Sequence, residues 1–256
     1  MRTQFGRLAW TFGSFAIVFV VWDVTVRVLA TPEYLLPGPE PVFLSLAQNL
    51  AGLATQTLWT GATVLLGFLA AAAVAIPLAM AIVVSPVLER LLYPPMVATQ
   101  SIPKIALAPL FIVWFGFGVA PKVAVAFLIA FFPIVIDTIV GLRSIDPAMI
   151  QLARSMGAPP RRIFLKLRLP HALPMIFGGL KVASSLAVVG ALTGEFIGSD
   201  RGLGYVLVQA SGNLNTALLF ATLVVLSALA MAFFYLVEVV ERIAIPWHAS
   251  QRAQPH

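Results

Sequence analysis

Cysteine is absent from all 256 residues, which excludes a disulfide framework, a thiolate metal site and a cysteine nucleophile. Charge is nearly as scarce. Asp, Glu, Lys and Arg make up 10% of the chain, against roughly 25% in soluble domains, too few to clothe a water-facing surface. Residues 41–88 and 202–237 carry no charged side chain at all. His171, His248 and His256 have no metal-ligand spacing, and neither H-E-x-x-H nor the nucleophile elbow G-x-S-x-G occurs. Gly202 and Gly204 form a G-x-G that lacks the rest of a nucleotide fingerprint. The phosphate loop G-x-x-x-x-G-K-[ST] is also missing, so ATP is not bound in the usual way by this chain. The sequence therefore assigns no catalytic residue, no metal and no cofactor.

Hydrophobic residues make up 60% of the chain, and a bilayer-spanning helix needs about 20 mainly apolar residues. Six stretches qualify: Leu8–Leu29, Ala54–Val84, Leu91–Phe115, Val123–Leu142, Leu169–Ile197 and Leu214–Val240. The first resembles a signal peptide ending at Val28 and Ala30, but Asp23, Thr25 and Arg27 spoil its apolar region, so a retained helix is expected. Asp23 and Arg27, four apart, can pair on that helix. The third stretch is interrupted by Pro94, Pro95, Pro103, Lys104 and Pro109, which argues against a straight helix. Ser85 to Arg90 reads as an inner turn. Thr31–Pro41, Gly116–Lys122 and Gly198–Asn213 read as outer loops.

The net charge of +6 is concentrated, not spread. Arg143, Arg154, Arg161, Arg162, Lys166 and Arg168 stand against one acid, Asp146, in a single loop. The positive-inside rule accounts for such a cluster without nucleic acid. It places that loop, and with six spans both termini, in the cytoplasm, leaving only Lys122 and Arg201 clearly in outer loops. The expected class is an all-α membrane protein of six transmembrane helices. Residues 1–7 form a cytoplasmic N-terminus, 8–245 the membrane domain with its loop at 143–170, and 246–256 a cytoplasmic tail.

Within that loop Asp146 can cap a helix, Pro147 fits its first position, and Gly157 can take the left-handed conformation that ends it. Met149, Leu152, Ala153 and Met156 share one face by helical spacing, an apolar knob on a basic loop. Pro159 and Pro160 open a second helix towards Leu169 and Pro170, whose Arg161, Arg162, Lys166 and Arg168 can reach phospholipid headgroups. The run Gln151-Leu152-Ala153, three residues, Gly157, nine residues, Leu167-Arg168-Leu169-Pro170 resembles the EAA loop of bacterial ABC importer permeases. That pattern is EAA, three residues, G, nine residues, I-x-L-P. Ala153, Gly157, Leu169 and Pro170 match it, while Gln151, Leu152 and Leu167 stand where it has Glu, Ala and Ile. Two further runs, Ser101–Gly116 (SIPKIALAPLFIVWFG) and Gly194–Leu207 (GEFIGSDRGLGYVL), are similar to the nitrate, sulfonate and taurine branch, and the resemblance extends from about Leu29 to Ile245.

The resemblance implies a multi-pass subunit of the bacterial inner membrane that is not itself an enzyme. Its partners would be a second copy of itself, two ATP-binding subunits, a soluble substrate-binding protein and membrane lipids. The helix in the loop would be the EAA-type coupling helix, with Met149, Gln151, Leu152, Ala153, Arg154, Met156, Gly157 and Ala158 at the contact with the ATPase, which alone binds ATP. The cargo implied is a small anion such as an aliphatic sulfonate, taurine or nitrate, with a neutral pyrimidine or flavin precursor as the alternative.

Few polar groups lie in the spans. Thr99, Gln100, Ser101 and Lys104 flank the proline break, where carbonyls freed by proline can face a water-filled path. Lys104 there either attracts an anion or snorkels. Gly190, Gly194 and Gly198 recur every fourth residue, which favours close helix packing. Glu195 lies beside that face, near the outer end, and is a candidate for the pathway or the binding-protein contact. Asp137 and Lys181 are expected as an interhelical pair or loop anchors. The rival reading is an ion-driven secondary transporter using Asp137, Lys181 and Glu195, which would need no ATPase.

Overall fold

The structure is a computed structural model and describes residues 17–248, among which every regular element is helical. Residues 17–28 are helical (α1). Asp23 and Arg27 pair on it at 2.8 Å, and the Trp22 indole N–H donates to the Pro37 carbonyl at 3.1 Å. The beginning of the expected first span, residues 1–7 and most of the expected tail lie outside the described residues.

After α2 (Pro39–Gln48), the charge-free run forms α3 (Leu50–Val84), which passes Pro77 without breaking. Ser85 and Pro86, expected as an inner turn, start α4 (Pro86–Gln100) directly. The Ser85 hydroxyl caps it by accepting the Leu88 N–H at 3.3 Å. Pro94 and Pro95 stay inside α4, and the break comes at Pro103, which lacks an N–H and pushes the residue before it out of the helical region. A 3₁₀ turn (Lys104–Leu107) and α5 (Ala108–Phe115) then leave at 94° to α4. The chain continues as α6 (Val119–Arg143) and α7 (Pro147–Ser155). The second helix expected from Pro159 and Pro160 and the span expected from Leu169 join as one unbroken rod: α8 (Pro160–Ile163), a π turn (Phe164–Arg168) and α9 (Leu169–Phe196). Pro170 has no N–H for the Lys166 carbonyl, and the wider turn accommodates that gap.

Four rods are long and apolar enough to cross a membrane: α3, α6, the 37-residue α8–α9 rod and α11 (Thr216–Ala244), with the bent α4–α5 pair as a fifth if it counts as one crossing. Residues 198–213 correct the expectation of an outer loop. They contain α10 (Leu203–Gly212), whose Leu203, Gly204, Val206, Leu207 and Ala210 are buried. Lys122, expected in an outer turn, lies in the first turn of α6 and is 8% exposed. Its stem packs on Gly194, so the aliphatic chain is covered while the ammonium reaches the adjoining loop.

α6 is the central helix, packed along both α9 and α3. Lipid gives helices no hydrophobic reason to associate, so contact depends on small residues that let backbones approach. A Cβ on Gly190 would stand 2.6 Å from the Ala126 Cα, and one on Gly194 2.8 Å from the Lys122 Cα. Gly198 does not continue that seam, because it lies beyond the helix end, against Phe117. Ala71, Ala75, Ala130, Ile134, Ala183 and Ala187 fill the remaining interior.

Candidate functional site

The 143–170 loop presents a small, fully specified helix. Asp146 Oδ1 accepts the Ala148 N–H at 2.8 Å and Pro147 occupies the first helical position. Gly157 has φ +78°, the left-handed conformation that closes a helix, and the Ala158 N–H bonds the Ala153 carbonyl at 3.0 Å. Met149, Leu152 and Met156 are 52%, 62% and 78% exposed. Gln151 is also exposed and Ala153 half-buried. Arg154, Gly157 and Ala158 also line a cavity beneath the helix, with Ile150. Arg143 pairs with Glu89 at 2.8 Å, tying the end of α6 to the start of α4. Sequence reasoning missed that pair, since the residues are 54 positions apart with no local signal.

At the bend, Thr99, Gln100 and Ser101 are all exposed, and the Thr99 hydroxyl donates back to the Met96 carbonyl at 2.7 Å. The Lys104 ammonium lies 4.6 Å from the centre of the Phe132 ring on α6, within cation–π range. These four residues are brought together at the break.

Glu195 is not among them. It is 2% exposed and forms the centre of a polar knot at the N-terminal end of α6. The Thr60 hydroxyl of α3 donates to its carboxylate at 2.9 Å and 3.0 Å, and the Gly204 N–H donates at 2.8 Å. Thr60 accepts the Leu203 N–H at 2.8 Å, and Gln56 Oε1 accepts the Gly202 N–H at 2.7 Å. Lys122 donates to the Ser199 hydroxyl at 2.5 Å, Ser199 bonds the Arg201 carbonyl, and the Arg201 guanidinium covers Trp59 at 4.9 Å. The knot is about ten residues of α6 from Phe132, roughly 15 Å along the axis. Thr60 and Gln56 were not singled out from sequence, because two polar residues in an apolar helix signal a knot only once their partners are known.

Lys181 pairs with Glu241 of α11 at 2.9 Å, not with Asp137. Asp137 is half-buried beside Gly179, where an added Cβ would stand 2.9 Å from Oδ2. Among the described residues no hydrogen bond or ion pair reaches it, and no cluster of three potential metal ligands occurs among them either.

A family model described as "Binding-protein-dependent transport system inner membrane component" matches residues 64–245. The formylaminopyrimidine transport permease protein ThiX of Halalkalibacterium halodurans is 35% identical over 240 residues, covering 93% of this chain and 95% of that protein. The taurine transport system permease protein TauC of Escherichia coli is 27% identical over 243 residues, covering 92% and 88%. Among solved structures, the inward-facing MetNI methionine ABC transporter superposes with a TM-score of 0.59 at 23% identity, over 80% of this chain and 98% of that chain. The fold is shared.

Proposed function

The chain belongs to the binding-protein-dependent transport system inner membrane components, the permeases of ABC importers, and on that premise we propose that α7 is the coupling helix through which a separate ATPase drives it. Permeases of this family are not enzymes. The observation that carries the proposal is the exposure of Met149, Leu152 and Met156 on a capped helix. An apolar knob on a basic loop has no reason to face water, and it suits a groove on another protein. α7 hangs between two long rods, α6 and α8–α9, so displacement of the knob moves both as rigid bodies. One copy supplies only part of a pore wall, so the working unit is a homodimer with two ATPase subunits and a soluble binding protein. In that unit α1, α3, the α4–α5 pair, α6, α8–α9 and α11 make six crossings with both termini cytoplasmic, and Thr99, Gln100, Ser101 and Lys104 border the path.

For the cargo, the reading favoured is a neutral, hydrogen-bonding nitrogen heterocycle of the pyrimidine-precursor kind. Identity to the formylaminopyrimidine permease exceeds identity to the taurine permease, 35% against 27%. The one local argument for an anion is weakened because the Lys104 ammonium rests on the Phe132 ring. The small-anion reading, a sulfonate, taurine or nitrate, remains the second.

Two measurements test the proposal. Gly157→Val puts a β-branched residue at φ +78°, a strain of about 1–2 kcal/mol or more. ATP-dependent uptake is expected to fall at least tenfold with normal membrane insertion, and full uptake would remove α7 from its coupling role. In proteoliposomes with the matching binding protein, an aminopyrimidine precursor is expected to be taken up in preference to taurine, an alkanesulfonate and nitrate. Preferential uptake of any of those three reverses the cargo assignment and leaves the importer standing.

A further inference from the structure

Apart from Arg143, which pairs with Glu89, the cations of the 143–170 loop fall into two sets. Arg154, Arg161 and Arg168, from α7, α8 and the π turn, line one cavity of about 810 Å³, whereas Arg162 and Lys166 do not line it. That volume lies within the roughly 300–1,000 Å³ of ordinary ligand pockets. No acid lines the cavity, and among the described residues none of the three guanidiniums has an ion pair. Cations gathered without a counter-charge repel one another, and a bound anion relieves that cost. The remaining wall is apolar. It is made by Val83 and Val84 at the end of α3, with Ile163 and Phe164 where the α8–α9 rod begins. The site therefore straddles the level at which the apolar rods give way to the basic loop, with charge on the loop side and hydrocarbon on the rod side.

We propose that this cavity is a binding site for an anionic phospholipid, its phosphate held by Arg154, Arg161 and Arg168 and its chains lying against Val83, Val84 and Phe164. Guanidinium forks match phosphate oxygens, and the apolar wall gives the acyl chains a surface that a free anion would leave unused. Ile150, Arg154 and Gly157 face the cavity, while Met149, Leu152 and Met156 occupy another face of the same helix. A bound lipid braces α7 from behind without competing for the knob. The site depends on no particular cargo, and binding is read separately from transport, so failure here leaves the coupling assignment untouched.

The test is native mass spectrometry of the assembled importer in detergent, with added dioleoylphosphatidylglycerol or dioleoylphosphatidylcholine, and with glycerol 3-phosphate and inorganic phosphate as competitors. Retention of phosphatidylglycerol over phosphatidylcholine is expected, with neither water-soluble anion displacing it at equal concentration. The variant R154Q/R161Q/R168Q is expected to bind about 100-fold more weakly, near fivefold per arginine. R162Q/K166Q is expected to bind within about twofold of the parent, and R154K/R161K/R168K keeps the charge as a folding control. Equal lipid retention in the glutamine and lysine triple variants overturns the proposal. So does an equal loss in R162Q/K166Q, which would mean general attraction to a basic surface. Displacement by free phosphate would assign the cavity to a soluble anion. Loss of the ATPase subunits from the glutamine triple variant with lipid binding intact would assign it to the protein interface.

Discussion

Lys181 and Glu241 lie on different rods, 2.9 Å apart, with Glu241 only 3% exposed. Two charges taken out of water are costly singly, and their attraction offsets that cost only while both remain. Lys181→Met leaves the Glu241 carboxylate without the Lys181 charge, and a lower unfolding temperature is expected. In Lys181→Met with Glu241→Leu, the loss is expected to be clearly smaller than the sum of the two single changes, because neither member of the pair is left without the other. Thermal unfolding of the purified protein in detergent reads the cycle, and strict additivity would mean that the pair is not coupled. The pair also bears on the rival mechanism: a group already committed to an interhelical ion pair is poorly placed to carry a coupling ion. Asp137, by contrast, has no such commitment among the described residues.

At the scale of elements, the knot around Glu195 fixes α10 against α3 and α9. Thr60 does two things there, donating to Glu195 and accepting the Leu203 N–H. Thr60→Val keeps the shape and removes both, at a cost of about 1–3 kcal/mol for each buried group left unsatisfied. Faster proteolysis within residues 197–202 is expected, with Thr60→Ser behaving as the parent; equal rates for Val and Ser would mean the knot does not hold this segment. The same region shows what the sequence conveys and what it does not. The α7 helix was legible because Asp146, Pro147 and Gly157 are local signals within twelve residues, as were the long apolar rods and the break at Pro103. α10 was not, because glycines and polar residues around 198–204 read as loop. Its backbone N–H groups are satisfied by Gln56, Thr60 and Glu195, two of them more than 140 positions away. Lys122 was misplaced for the same reason: a lysine at an apolar boundary reads as outer turn until Gly194 and Ser199 supply its neighbours.

For the whole molecule, the question is which end faces the cytoplasm. The rod from Pro160 to Phe196 has 37 residues, about 55 Å at 1.5 Å per residue, against a hydrocarbon layer of roughly 30 Å. A rod that spans the bilayer therefore has residues 158 and 200 on opposite sides. Near its first end lie Arg154, Arg161, Arg162, Lys166 and Arg168, with Arg143 and Glu89 joined beside them. At the other end lie Lys122 and Arg201, both engaged, by Ser199 and Trp59. Lys and Arg are retained on the cytoplasmic side, so the α7 end is expected inside. Because the chain has no native cysteine, Ala158→Cys and Asp200→Cys each introduce a single thiol. Asp200, with a side chain 83% exposed, is a better reporter than Ser199, whose hydroxyl is held by Lys122. In intact cells a membrane-impermeant maleimide is expected to label the thiol at 200 alone, and in inverted vesicles the thiol at 158 alone. Labelling of both from one side would show that this rod does not cross, and the reversed pattern would place α7 outside, where no ATPase is available to move it.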